Sequence, residues 1–179
     1  MGTPFGFRRI RKIGTALILA LLVVAPSTTA LAGSKHAPLG YQLMCLKNPQ
    51  ECKGGGASKV PATEALMATL KRVNGQVNRS IRPRNEAGGA DVWTASASVG
   101  DCEDYVMAKR RALIKSGVPS SALRIAYVKT RQGEGHAILV VKTNGQNLVL
   151  DNLTGAIRPL SQTGYRIVSM SGANPRNWS

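Results

Sequence analysis

GHAILVVKTNGQNLVLD, residues 135–151, reads as a β-hairpin whose turn also sets the geometry of a site. Two apolar runs flank Asn144-Gly145, a dipeptide suited to the positive φ angles of a two-residue turn. The pattern predicts strands over 135–142 and 146–151. If Thr143 pairs with Gln146 across the turn, Ile138 lies opposite Asp151 and His136 opposite Leu153. His136 and Asp151 then become diagonal neighbours on one face, about 7–8 Å apart at the backbone and within reach of an imidazole–carboxylate hydrogen bond. A three-residue loop would shift the register by one and send them to opposite faces.

Further strands are expected over 123–129 and 165–170, with Arg131-Gln132-Gly133-Glu134 as the turn before the hairpin. Upstream the periodicity changes. Leu66, Leu70, Val73 and Val77 recur at helical spacing, with Pro61 suited to a first turn and Glu64 to the positive helix end, which predicts a helix over 61–80. A second helix is expected over 101–116. Val106, Ala108, Ala112 and Leu113 form its inner side, Gly117 ends it and Pro119 prevents continuation. Residues 33–59 and 81–100, rich in Gly, Pro and polar residues, read as loops. Helices followed by an antiparallel meander give an α+β domain.

Cys102 opens the second helix in GDCEDY. A thiol at a helix N-terminus beside an imidazole is placed for thiolate chemistry. Its backbone amide, free of an intrahelical partner, can donate to a developing oxyanion, and Gly100 lets a substrate backbone approach. Cys102, His136 and Asp151 can therefore serve as nucleophile, base and orienting acid. The other histidine of the chain, His36, is remote in sequence. Asp101, Glu103 and Asp104 flank the thiol. They complement the helix dipole but raise a thiol pKa, and a bound Ca²⁺ would offset their charge.

Residues 1–32 read as a signal peptide. Arg8, Arg9, Arg11 and Lys12 precede the apolar run 13–25, and Ala30-Leu31-Ala32 supplies the small-residue cleavage site. The apolar run is short for a bilayer span, so no stable membrane span is expected after cleavage. The remaining domain, 33–179, has 20 basic and 9 acidic residues, a net charge of +11. Its bases are scattered, the longest run being Lys109-Arg110-Arg111, and few aromatics accompany them. That pattern reads as a solvated basic face and speaks against nucleic acid. Three cysteines leave one over if Cys45 and Cys52 pair in an oxidising compartment, and that one is Cys102. A zinc site lacks ligands at suitable spacing.

The motifs GDCEDY, GEGHAILVV and VLDN, with LKRVNGQVNRSIRP, ADVW and MCLKNPQEC upstream, closely resemble the bacterial transglutaminase-like cysteine proteinases over nearly all of the domain. The resemblance implies a papain-like, transglutaminase-like cysteine proteinase fold with Cys102, His136 and Asp151 as triad. It also implies Ca²⁺ on Asp101, Glu103 and Asp104, a periplasmic or secreted location, and an envelope or surface protein as substrate. The best-understood members of the family clip a surface adhesin and so release biofilm. One departure lies in the loop before the cysteine, where Asp91-Val92-Trp93-Thr94-Ala95-Ser96 replaces an aromatic and proline pattern. Three functions fit: peptide hydrolysis, transglutaminase-type acyl transfer by the same triad, and a non-catalytic envelope-binding domain on the same scaffold. The intact Cys, His and Asp favour the first two.

Overall fold

Sheet order, more than any helix, positions the site. In a computed structural model, five strands pair in the order β6-β5-β4-β3-β7, all antiparallel. They are β3 (Leu123–Lys129), β4 (Gly135–Lys142), β5 (Asn147–Leu150), β6 (Arg158–Pro159) and β7 (Arg166–Met170). The structure describes residues 1–2, 36–86 and 91–179. The signal sequence, but for residues 1–2, and the Gly88-Gly89 loop lie outside the described residues. The chain divides into units Met1–Leu31 and Ala32–Ser179, and all described helices and strands belong to the second.

β4 pairs with β5 in the register that a two-residue turn requires: Lys142 faces Asn147, Val141 faces Leu148, and Leu139 faces Leu150. Both faces of this hairpin are covered, which is why Ala137–Val141 is an unbroken apolar run where a half-exposed strand would alternate. Ala137, Leu139 and Val141 join the main core with Leu123, Ile125 and Leu150. Ile138 and Val140 face a second cluster with Ala126, Val128 and Val149, against which Tyr165 and Met170 pack.

Helix α2 (Glu64–Ser80) starts three residues after Pro61, because Thr63 takes the N-cap and accepts from the Leu66 amide at 3.1 Å. Leu70, Val73 and Val77 line its buried face together with one polar residue, Asn74. Helix α3 (Cys102–Lys115) is followed by Gly117 at φ +86°, a left-handed geometry suited to glycine. Short strands β1 (Arg82–Pro83) and β2 (Val99–Gly100) pair in parallel within the segment expected to be loop.

The N-terminal segment is more ordered than its composition predicts. Residues Leu39–Lys47 form helix α1, and Pro49–Cys52 a 3-10 turn. No side chain caps α1, and it is apolar on both sides: Tyr41, Met44 and Cys45 are buried while Leu39, Leu43 and Leu46 are exposed. Neither a cap nor an amphipathic stripe therefore marks it in the sequence. Cys45 and Cys52 are joined by a disulfide with a Cα separation of 5.6 Å.

The run Lys109-Arg110-Arg111 corrects the expectation of a solvated basic face. Lys109 and Arg110 are buried to 1% and 0% exposure. Arg110 donates to the carbonyls of Glu51 and Lys53, tying α3 to the disulfide-bonded segment, and Arg111 Nε pairs with Glu51 Oε1 at 2.8 Å. Partners almost sixty residues away convert apparent surface charge into interior scaffolding.

Candidate active site

His136 and Asp151 meet. His136 Nε2 lies 2.8 Å from Asp151 Oδ1, and both side chains are buried. A carboxylate only accepts, so Nε2 carries the proton in this bond and Nδ1 is the ring's acceptor nitrogen. Asp151 receives two more donors: the Leu153 amide on Oδ1 at 3.0 Å and the Tyr165 hydroxyl on Oδ2 at 2.6 Å. Burial pushes the Asp151 carboxyl up, but the bonds from His136, Tyr165 and Leu153 together hold it below the usual carboxylate range. Asn78 fixes the same residue from α2, its Nδ2 donating to the Asp151 carbonyl at 2.9 Å.

Cys102 stands at the first position of α3, half-buried against the main core, with Asp101 as N-cap. Its sulfur donates to Glu103 Oε2 at 2.9 Å. Burial pushes the thiol well up, and the charge and hydrogen bond of Glu103 push it further. The backbone of Ala137, one residue beyond His136 on β4, works the other way, and Asp101 adds to the rise. The resting thiol is therefore protonated, and a base must remove its proton before it attacks.

The three flanking carboxylates are in different situations. Glu103 is raised by burial and by its neighbour Asp101. Asp104 is 4% exposed and is pushed up to about 6, chiefly by burial, with the Thr94 amide donating to its Oδ1 at 2.9 Å. Gly100 has a different use from the expected substrate approach: a Cβ there would collide with Asp104 Oδ2. None of the three carboxylates forms an ion pair among the described residues. As hard oxygen donors that repel one another they suit Ca²⁺ chemically. However, no three His, Cys, Asp or Glu side chains among the described residues are gathered to hold a metal ion. In this structure Glu103 accepts from the thiol and Asp104 from the Thr94 amide.

Trp93, the aromatic of the divergent loop, is 6% exposed and packs edge-on to Tyr41 with centroids 5.4 Å apart. It lines a cavity of about 320 Å³ with Pro38, Asp91, Glu103, Tyr127 and Ser169, beside the thiol's neighbour. A larger cavity, about 510 Å³, lies between α1 and Arg176–Trp178 and contains no site residue. Tyr165 and Asn78 escaped the sequence reading. Tyr165 marks only the start of a strand and Asn78 the exposed side of a helix, so no local signal ties either to Asp151.

Residues 31–179 match a family described as Bacterial transglutaminase-like cysteine proteinase BTLCP. Among solved structures, calcium-bound LapG from Legionella pneumophila is similar with a TM-score of 0.55 and 28% identity, over 60% of this chain and 66% of that one. EGTA-treated LapG from the same organism gives a TM-score of 0.53 and 28% identity, over 59% and 62%. The similarity thus spans under two-thirds of LapG's length. Curated proteins gave no match.

Proposed function

Because the chain belongs to the family of bacterial transglutaminase-like cysteine proteinases, we propose that it cleaves a peptide bond in an envelope or surface protein, with Cys102, His136 and Asp151 as its triad. The observation that carries this reading is the His136–Asp151 bond at 2.8 Å, which leaves Nδ1 of a buried imidazole free, one residue from the strand backbone that favours the ionised Cys102 sulfur.

In the first half-reaction His136 Nδ1 takes the Cys102 proton as Sγ attacks the substrate carbonyl carbon. The Cys102 amide, unpaired at the first position of α3, donates to the oxygen that becomes negative. The C–N bond then breaks, and His136 returns the proton to the departing amine, leaving a thioester. Water attacks the thioester, gives its proton to His136, and the thiolate leaves and is reprotonated. Asp151 remains ionised throughout and holds the imidazole in the tautomer this sequence needs.

Asp101 and Glu103, with Asp104 beside them, would hold Ca²⁺, whose charge would offset the carboxylates of Asp101 and Glu103 that raise the thiol. The similarity to calcium-bound LapG supports that reading. Export past the inner membrane is part of the same proposal. It agrees with the Cys45–Cys52 disulfide, a bond that persists in an oxidising compartment.

The test is cleavage of a mixed peptide library, followed by mass spectrometry. The purified domain is expected to hydrolyse a subset of peptides, to lose this in Cys102→Ala, to fall about 10³–10⁴-fold in Asp151→Asn, and to slow in EGTA. Cleavage that persists in Cys102→Ala would overturn the assignment. Transfer of the acyl group to an added amine such as dansylcadaverine, in place of hydrolysis, would make the protein an acyltransferase.

A further inference from the structure

Asp151 has two carboxylate oxygens with different partners. Oδ1 takes His136 and the Leu153 amide, both close in sequence or register, whereas Oδ2 takes the Tyr165 hydroxyl. Tyr165 precedes β7, and in the sheet β7 lies three places from β5, the strand that ends at Leu150. No strand pairing joins them; Tyr165, in the segment that leads into β7, packs on the second apolar cluster and makes the connection through its side chain. There it also meets His136: the two rings lie edge-on, centroids 5.8 Å apart and planes at 69°.

We propose that Tyr165 is a positioning residue for this reaction, its hydroxyl fixing the plane of the Asp151 carboxylate while its ring edge limits the swing of His136. The inference rests on the triad reading above. Donors on one oxygen restrain rotation of the carboxylate about Cβ–Cγ from one side only, and a donor on the other oxygen, from a different part of the chain, opposes it from the second side. A charge-assisted O–H···O⁻ bond at 2.6 Å is a strong one. The phenol is suited to it, since burial and the Asp151 carboxylate both favour its protonated form. The ring packs with the second apolar cluster, so Phe at this position keeps the packing and removes only the hydroxyl.

The test compares Tyr165→Phe with the unmodified protein in three measurements. The first is the His136 ring N–H resonance by NMR, which is expected to move downfield because Asp151, one donor poorer, becomes a stronger acceptor. The second is alkylation of Cys102 by iodoacetamide, followed by intact mass, which is expected to slow about tenfold, the effect of losing one hydrogen bond to a charged group. The third is the melting temperature, expected to change little. In an Asp151→Asn background the same substitution should slow alkylation no further. An unchanged resonance and rate, or an equal loss in both backgrounds, would overturn the role of Tyr165. His136→Ala separates the two levels: if it leaves alkylation unchanged, the triad itself fails. If it slows alkylation while Tyr165→Phe does not, only the role of Tyr165 fails.

Discussion

The first turn of α3 and the turns that follow bury charges of opposite sign in different ways. Around Cys102, the carboxylates of Asp101, Glu103 and Asp104 crowd together with no ion-pair partner among the described residues, and burial raises Glu103, Asp104 and the thiol. Two turns later the bases are given partners. Arg110 has two carbonyls, Arg111 has Glu51, and Lys109 lies 5.6 Å from the Tyr105 ring centroid and within the field of Asp151. A buried charge with partners holds elements together. Like charges packed together without an ion-pair partner mark the end of the helix where chemistry is expected. One helix thus carries scaffold in its middle and the candidate nucleophile at its start.

If that division is right, the middle can be damaged without touching the chemistry. Arg110→Met should have the largest effect on stability. It leaves the carbonyls of Glu51 and Lys53 without their donor and should cost roughly 2–4 kcal/mol, read as a fall in melting temperature of about 5–15 °C. Cys102 reactivity per folded molecule should be unchanged. A variant that melts normally, or one that stays folded but loses reactivity, would break the comparison.

Lys109→Met should have a smaller effect, and one that depends on pH. Burial lowers Lys109 to about 7, opposed in part by Asp151, whereas an unfolded lysine titrates near 10.4. Below about pH 7 both states carry the charge and the fold bears its full burial cost. Between about pH 7 and pH 10 the unfolded chain keeps a proton that the folded chain has released. Stability therefore rises with pH there, by up to about 1.4 kcal/mol per pH unit. Urea denaturation from about pH 6 to pH 9 should show that slope in the unmodified protein and lose it in Lys109→Met, with the variant at least as stable at the acid end. Equal slopes would show that Lys109 keeps its proton in the folded protein across this range.

The same contrast explains what the sequence reveals. The α+β arrangement, α3, β3, β4 and the hairpin register are legible because their causes are local: alternating or continuous apolar runs, one Asn-Gly turn, one helix-ending glycine. The proximity of His136 and Asp151 follows from that register by counting, since a two-residue turn leaves them one diagonal apart. Helix α1 is not legible because it lacks a cap and is apolar on both sides. The burial of Arg110 is not legible because its partners are 57 and 59 residues away. Tyr165 is missed for the same reason, its bond to Asp151 being made across strands that do not pair. The cluster of carboxylates around Cys102 is legible as composition, but composition does not say that Glu103 turns to the thiol and Asp104 to the Thr94 amide.

The most direct test of the central claim is the rate at which iodoacetamide modifies Cys102 in the folded protein, with and without His136→Ala. Because the thiol is raised by its surroundings, it can react quickly only if His136 takes its proton. The account predicts selective modification of Cys102 that slows by roughly a hundredfold in His136→Ala, the scale of a general base. Equal rates in the two proteins, no faster than a free thiol, would contradict it and leave a proteinase fold without a working nucleophile.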